Sequence, residues 1–181
     1  IDFRGKGIIR GLYLFPYVAP VIAVAFAWVI LFDPFSGSIN ALLVQMEVVD
    51  TPINFFGQKP YALIMVTVFE IWRYFPLSFL FILARMQAID VEMYEAADMD
   101  GASPFQIFWY LSLPTLMGIL SILFLLRFIW TFNKFDDIFL LTGGSAETRT
   151  LTVNVYEQAF AVSNIGAGSA VAVLIFVFLL F

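Results

Sequence analysis

Long apolar runs separated by polar connections are the main pattern of this chain, and each run predicts a membrane-spanning helix. The runs cover residues 12–32, 61–84, 113–132 and 165–181. A helix needs about 20 apolar residues to cross a hydrocarbon core about 30 Å thick. A single run of this kind is also typical of a buried helix in a soluble protein, but four of them favour an all-α integral membrane protein with a polytopic helix bundle.

The connections between the runs are polar and contain turn residues. Residues 33–60 hold several prolines and glycines, and residues 39–49 within them predict a short helix. Residues 133–164 form a second polar connection, in which Gly143-Gly144 predicts a turn. The sequence contains no internal repeat and no low-complexity segment.

Composition supports a membrane protein and removes several kinds of chemistry. Hydrophobic residues make up 62% of the chain and charged residues 13%, against about 25% charged in a soluble domain. There is no cysteine and no histidine, so no disulfide, no thiol chemistry and no metal site are predicted. Hydrolase and metalloprotease motifs are absent too, which argues against an intramembrane enzyme. The chain starts at Ile1 and stops at Phe181 inside an apolar run, so we expect it to be a fragment.

An acidic stretch, EAADMDGASPFQIFWYLSLP at residues 95–114, separates the second and third runs. Helix-forming residues at 93–99 predict a helix that Gly101 ends. Ser103 is suited to cap a second helix, with Pro104 at its first position and Gln106 completing a capping box. The stretch thus predicts two helices joined by a glycine turn. With three carboxylates it must lie in water or against a polar partner, and a simple solvated loop is the alternative.

The same stretch resembles the "EAA" loop of the membrane subunits of binding-protein-dependent ABC importers. That pattern is Glu-Ala-Ala, three residues, Gly, nine residues, Ile, one residue, Leu-Pro, and here a leucine replaces the isoleucine. Residues 4–20, 132–144 and 150–160 are similar to maltose-type sugar permeases and favour the larger of their two permease subunits. By that likeness, two N-terminal spans and the C-terminal end lie outside this chain. The matching positions, which the resemblance implies contact an ATPase, are Glu95, Ala96, Ala97, Asp98, Gly101, Leu111 and Pro114.

The resemblance also implies a topology and a set of partners. Residues 85–112 would be cytoplasmic, whereas counting Lys and Arg gives four residues against three and does not decide the orientation. The partners would be two ATPase subunits, a second homologous permease subunit and an extracytoplasmic solute-binding protein, in the cell inner membrane. This chain has no phosphate-binding loop, so no cofactor is expected in it, and ATP and Mg²⁺ would be bound by the ATPase subunits. It is expected to be a transport subunit and not an enzyme.

Charged residues within the runs suggest a solute pathway, because such groups usually face a bundle interior or a water-filled cavity. Glu70, Arg73 and Leu77 share one helix face by their spacing, and so do Arg127, Trp130, Thr131 and Lys134. A local Glu70–Arg73 pair is the structural alternative. The resemblance implies that sugar is contacted at the positions Glu70, Arg73, Tyr74, Leu77, Arg127, Trp130, Thr131 and Lys134.

The predicted function is therefore a permease subunit of an ATP-driven importer for a sugar or oligosaccharide. Arginine and carboxylate groups bind hydroxyls, and an indole ring stacks on a sugar face. Glycerol phosphate or another polar solute remains an alternative, because three cations lie among the pathway positions. A passive channel or a purely structural membrane subunit is a further alternative, and it would conduct without ATP.

Overall fold

Helices make up the fold of residues 6–180, the part of the chain that the computed structural model describes, and this part contains no strand. The α-helices are α1 (Lys6–Val18), α2 (Val21–Leu31), α3 (Ser38–Gln45), α4 (Tyr61–Gln87), α5 (Val91–Met99), α6 (Pro104–Ile107), α7 (Leu113–Phe132), α8 (Asp136–Thr142), α9 (Leu151–Tyr156) and α10 (Ile165–Leu180). Two π-helical turns, Phe108–Ser112 and Glu157–Ala161, follow α6 and α9. The predicted all-α fold is confirmed.

Two of the helical segments are long and apolar enough to cross a membrane. They are α4 and the continuous segment Pro104–Phe132, which joins α6, a π-helical turn and α7. The number rises to three if α1 and α2 count as one broken span, and α10 is a shorter apolar helix of 16 residues. The predicted runs 61–84 and 113–132 therefore lie within these two long segments.

The first predicted run, residues 12–32, is not a single helix in the structure. It is divided between α1, which ends at Val18, and α2, which begins at Val21. Pro20 lacks an N–H and disfavours helical backbone at Ala19. Hydropathy does not register this break, because both residues at the break are apolar.

The chain divides into two compact units. The first comprises residues 1–17 and 74–129, and the second comprises residues 18–73 and 130–181. The second unit contains a buried apolar cluster, against which Trp28 packs, with its ring centroid 5.1 Å from that of Phe69. The buried members are Ala19, Val24, Ala25, Val66, Phe69, Ile138, Leu141 and Val153.

A buried asparagine organises the polar connection 33–60 in the second unit. Asn40 lies in α3 and is 2% exposed. Its Nδ2 donates to the carbonyls of Phe32, Asp33 and Ile53 at 3.0–3.2 Å, and its Oδ1 accepts from the Ile53 N–H at 2.8 Å. One amide therefore joins the end of α2 to the segment that precedes α4. The short helix predicted at 39–49 is present as α3, which ends earlier, at Gln45.

The connection 133–164 is more structured than its polarity predicted. It contains α8, α9 and the second π-helical turn. The predicted turn is present, since Gly143 ends α8 with a φ of 61° and Gly144 has a φ of 79°. Helix α8 has an apolar stretch at residues 138–141, and its residues Ile138 and Leu141 are buried, so apolar burial supports a helix within this polar connection.

Candidate functional site

The predicted pair of helices joined by a glycine is present in the first unit, and we call residues 91–107 the elbow. Helix α5 ends at Met99, and Gly101 follows with a φ of 73°. The Gly101 N–H donates to the Asp98 carbonyl at 3.0 Å. A Cβ at Gly101 would meet nothing within 4 Å, so the backbone conformation and not a lack of space favours glycine.

The second half of the elbow begins with the predicted capping box. The Ser103 N–H donates to Gln106 Oε1 at 2.8 Å, and Ser103 Oγ accepts from the Gln106 N–H at 3.4 Å. Pro104 occupies the first helical position, where a missing N–H costs nothing. The sequence alone therefore predicted the cap, the turn and the second helix correctly.

Two hydrogen bonds join the elbow and the end of α4 to the segment that leads into α7. The hydroxyls of Tyr94 and Ser112 lie 3.2 Å apart, and Arg85 Nε donates to the Thr115 carbonyl at 3.3 Å. The π-helical turn ends just before Pro114, which has no N–H to donate to the carbonyl four residues earlier. The elbow is thus attached to the beginning of a spanning helix.

The predicted ATPase-contacting positions lie mainly on the surface of the first unit. The exposed ones are Glu95, Ala96, Asp98, Gly101 and Pro114. Ala97 and Leu111 are half-buried. A row of carboxylates and small side chains is therefore accessible, as docking to another subunit requires.

Some of the predicted pathway charges of the second unit meet in one buried cluster. Asp137 is fully buried, and its Oδ1 lies 3.9 Å from Arg73 Nε, while its Oδ2 lies 2.8 Å from Lys134 Nζ. Arg73 Nη1 also donates to the Ala19 carbonyl at 3.2 Å. Glu70 is a further acidic neighbour that acts on the Asp137 carboxyl. Arg73 therefore stabilises the break between α1 and α2 as well as a buried carboxylate.

The cluster shifts the acidity of Asp137. Burial by itself raises the pKa of this carboxyl, but its interactions with Glu70 and Lys134 and the charges of Lys134 and Arg73 lower it below its usual value. The residue was not among the predicted site residues. Lys134 and Asp137 are three positions apart, but Lys134 lies between α7 and α8, so helical spacing did not indicate this pair.

In the first unit, Arg127 lies over an aromatic ring. Its guanidinium carbon is 4.2 Å from the centroid of the Tyr74 ring, a cation–π geometry. Tyr74 in turn meets Tyr17 edge to face, with centroids 6.2 Å apart. Leu77, one turn further along α4, is half-buried. Two predicted pathway residues, Arg127 and Tyr74, are therefore in contact.

The remaining predicted pathway residues lie near the end of α7 in the second unit. Trp130 is 43% exposed. Thr131 lines a cavity of about 460 Å³ together with Phe132, Arg149, Thr150, Leu151 and Asn154. The sequence did not single out Arg149 or Asn154, because they stand in a polar connection without a recognisable spacing.

The described part of the chain, residues 6–180, contains no group of His, Cys, Asp and Glu side chains that is suited to hold a metal ion.

Comparison with known proteins gives a family match and several relatives. The family model described as "Binding-protein-dependent transport system inner membrane component" matches residues 1–181. The inner membrane ABC transporter permease protein YcjO of Escherichia coli (strain K12) is 37% identical over 97% of this chain and 59% of that protein. The trehalose/maltose transport system permease protein MalF of Thermococcus litoralis is 33% identical over 98% of this chain and 60% of that protein.

A third relative has a different solute in its name. The sn-glycerol-3-phosphate transport system permease protein UgpA of Agrobacterium fabrum is 32% identical over 96% of this chain and 59% of that protein. The chain thus spans about three fifths of the length of these relatives.

Two crystal structures have the same fold. One is of a bacterial ABC transporter involved in the import of the acidic polysaccharide alginate, with a TM-score of 0.87 at 20% identity over 100% of this chain and 65% of that chain. The other is of a bacterial alginate ABC transporter in complex with alginate pentasaccharide-bound periplasmic protein. Its TM-score is 0.89 at 20% identity, covering 99% of this chain and 63% of that chain.

Proposed function

The chain belongs to the family of binding-protein-dependent transport system inner membrane components, and we propose that it is the permease part of an ATP-driven importer for a sugar or oligosaccharide. The elbow at residues 91–107 carries this proposal. Its exposed acidic face, glycine turn and capping box form a rigid element attached to a spanning helix. A passive channel or structural subunit has no use for such an element.

In the proposed mechanism, the elbow transmits movement from a partner to the membrane. ATP and Mg²⁺ are bound by two separate ATPase subunits, which dock on the exposed face that contains Glu95 and Asp98. When the ATPases close, they move the elbow. Helix α7 moves with it, because Ser112 is hydrogen-bonded to Tyr94 of the elbow and the Thr115 carbonyl to Arg85 at the end of α4. The solute site then opens alternately to the two sides of the membrane.

A second permease subunit and an extracytoplasmic binding protein complete the proposed assembly. The binding protein is supported by the family description and by the alginate structure, which contains a periplasmic protein of that transporter. It delivers solute on the extracytoplasmic side of the membrane, where we place the connections 33–60 and 133–164.

A neutral sugar fits the proposed pathway residues better than an anion does. Arg73 and Lys134 are both within ion-pair distance of Asp137, so its carboxylate offsets one of their two positive charges before any solute arrives. Arg127 already faces the Tyr74 ring. Trp130, which is 43% exposed, supplies an accessible aromatic face for a sugar ring.

Coupling is tested with Gly101→Val in the complete protein, assembled with its partner subunits. A β-branched residue at a φ of 73° is strained, so we expect solute-stimulated ATP hydrolysis and uptake to be lost. Solute capture by the binding protein, measured by calorimetry, should be unchanged. Normal stimulated hydrolysis together with normal uptake would contradict the proposal.

Glycerol phosphate is the second candidate solute, because UgpA is 32% identical to this chain. Mass spectrometry of the solute retained by the partner binding protein separates the two candidates. A neutral saccharide supports the first proposal, whereas a phosphate ester supports the second.

A further inference from the structure

A groove in the first unit belongs neither to the elbow nor to the proposed pathway. It has a volume of about 480 Å³ and lies between the beginning of α1 and the second half of α4. Ligand pockets typically measure about 300–1,000 Å³. Most of the lining is apolar, with Ile9 and Leu14 from α1 and Pro76, Leu80 and Leu83 from α4.

Ring contacts fix how the two helices run along the groove. Tyr17 meets Tyr74, and Tyr13 stacks on Phe79 with centroids 5.7 Å apart and an interplanar angle of 21°. The two helices therefore run antiparallel along the groove, with the beginning of α1 beside the later part of α4. The polar lining residues Arg10 and Gln87 consequently lie towards the same end of the groove, on the side where α4 leads into the elbow.

We propose that this groove binds one acyl chain of an anionic phospholipid, with the phosphate held by Arg10. The acyl chain lies along Leu14, Leu80 and Leu83. The phosphate lies at the polar end, where Arg10 is exposed and no carboxylate among residues 7–180 forms an ion pair with it. Basic pockets between membrane helices bind such headgroups.

The positive charge at the polar end of the groove favours a lipid over another membrane helix as the occupant. Residues 4–10 of the sequence carry three cations, Arg4, Lys6 and Arg10, and no acid. An apolar helix seated over the groove would cover the Arg10 guanidinium without pairing it, which is costly in a membrane. A phosphate instead offers the bidentate hydrogen bonding that arginine prefers. Tyr13 beside the groove is typical of the membrane interface, where headgroups lie.

The test measures phospholipid retained by the complete protein, purified with its partner subunits and analysed by native mass spectrometry. The probes are phosphatidylglycerol and phosphatidylcholine of equal chain length. One cation near the membrane surface should favour the anionic lipid by about fivefold. Arg10→Gln should abolish this preference, and Arg10→Lys should keep most of it. If Arg10→Gln keeps the wild-type preference for phosphatidylglycerol, the assignment of Arg10 is overturned.

A second pair of variants tests the groove itself. Leu14→Trp fills the groove and should reduce retention of both lipids, while Leu12→Trp is the matched control, since Leu12 is 68% exposed and does not line the groove. Equal retention in both variants would overturn the proposal. A photo-crosslinking residue at Leu83 should label lipid, whereas a protein adduct would show that a helix occupies the groove. None of these measurements depends on transport, so their outcome is independent of the proposed function.

Discussion

Arg73 Nε and Asp137 Oδ1 lie 3.9 Å apart, in a place where the aspartate is fully buried and the arginine nearly so. The arginine also donates to the carbonyl of Ala19, immediately before Pro20. A carbonyl at a helix break has lost its regular partner, so the arginine satisfies a backbone group and a carboxylate together. A residue expected to contact solute thus also has a structural task within its unit.

Removing a charge from the buried pair should lower the free energy of unfolding much more than removing a charge from an exposed pair. Asp137→Asn leaves Arg73 and Lys134 without their shared carboxylate, and removing one partner of a buried pair costs about 3–5 kcal/mol. Lys59→Gln breaks an ion pair with Glu147 in which both side chains are more than half exposed, and such pairs contribute about 0–1 kcal/mol. The measurement is the thermal unfolding midpoint of each purified variant in detergent. Equal midpoints would show that Asp137 is accessible to water.

Replacing Arg73 by lysine should not restore stability fully. The guanidinium reaches Ala19 through Nη1 and Asp137 through Nε, and a lysine ammonium is a single compact group without that planar fork. We expect Arg73→Lys to unfold between the wild type and Arg73→Gln in the same assay. A lysine variant as stable as the wild type would mean that the contact with Ala19 contributes nothing.

Backbone conformation, and not space, should decide which residues replace Gly101. Because a Cβ there meets no atom within 4 Å, the cost is that of left-handed backbone, roughly 1–2 kcal/mol for an ordinary residue. Asparagine tolerates this conformation and valine does not. Stimulated ATP hydrolysis should thus fall slightly in Gly101→Asn and strongly in Gly101→Val.

The matched control for these variants is Gly118→Val. Gly118 also has open space around it, but it lies within α7 and its φ is not positive. Loss of stimulated hydrolysis in the Gly118 variant to the same extent would mean that any bulky substitution in this region acts, and not the turn in particular.

Asn40 should be essential for the order of residues 33–60. Asn40→Ala leaves the carbonyls of Phe32, Asp33 and Ile53 without their shared donor, and an unsatisfied buried polar group costs about 1–3 kcal/mol. Limited proteolysis should then cut between residues 46 and 60. Asn54→Ala is the control, because it removes a single exposed hydrogen bond to the Gly57 N–H. Similar cleavage of both variants would contradict the prediction.

Local signals were predictable from the sequence, whereas distant partners were not. The elbow followed from adjacent residues, since Gly101, Ser103 and Gln106 act within one or two helical turns. Asp137 was missed because its partner Arg73 is 64 positions away in the chain, and spacing on one helix gives no information about such contacts. The break at Ala19 was missed because hydropathy treats proline only as another uncharged residue.

The last prediction concerns Trp130, whose indole is 43% exposed near the end of α7. If it is a platform for a neutral sugar, Trp130→Phe should retain part of the uptake, because a phenyl ring still offers a π face. Trp130→Leu should retain little, and no more than Arg127→Gln, which loses the contact with Tyr74. If the indole only fills space, leucine should work nearly as well as phenylalanine, since volume then matters more than the ring. Uptake is compared at equal membrane expression, and a Gln variant far below the Leu variant would indicate an anionic solute, because Arg127 would then supply most of the binding.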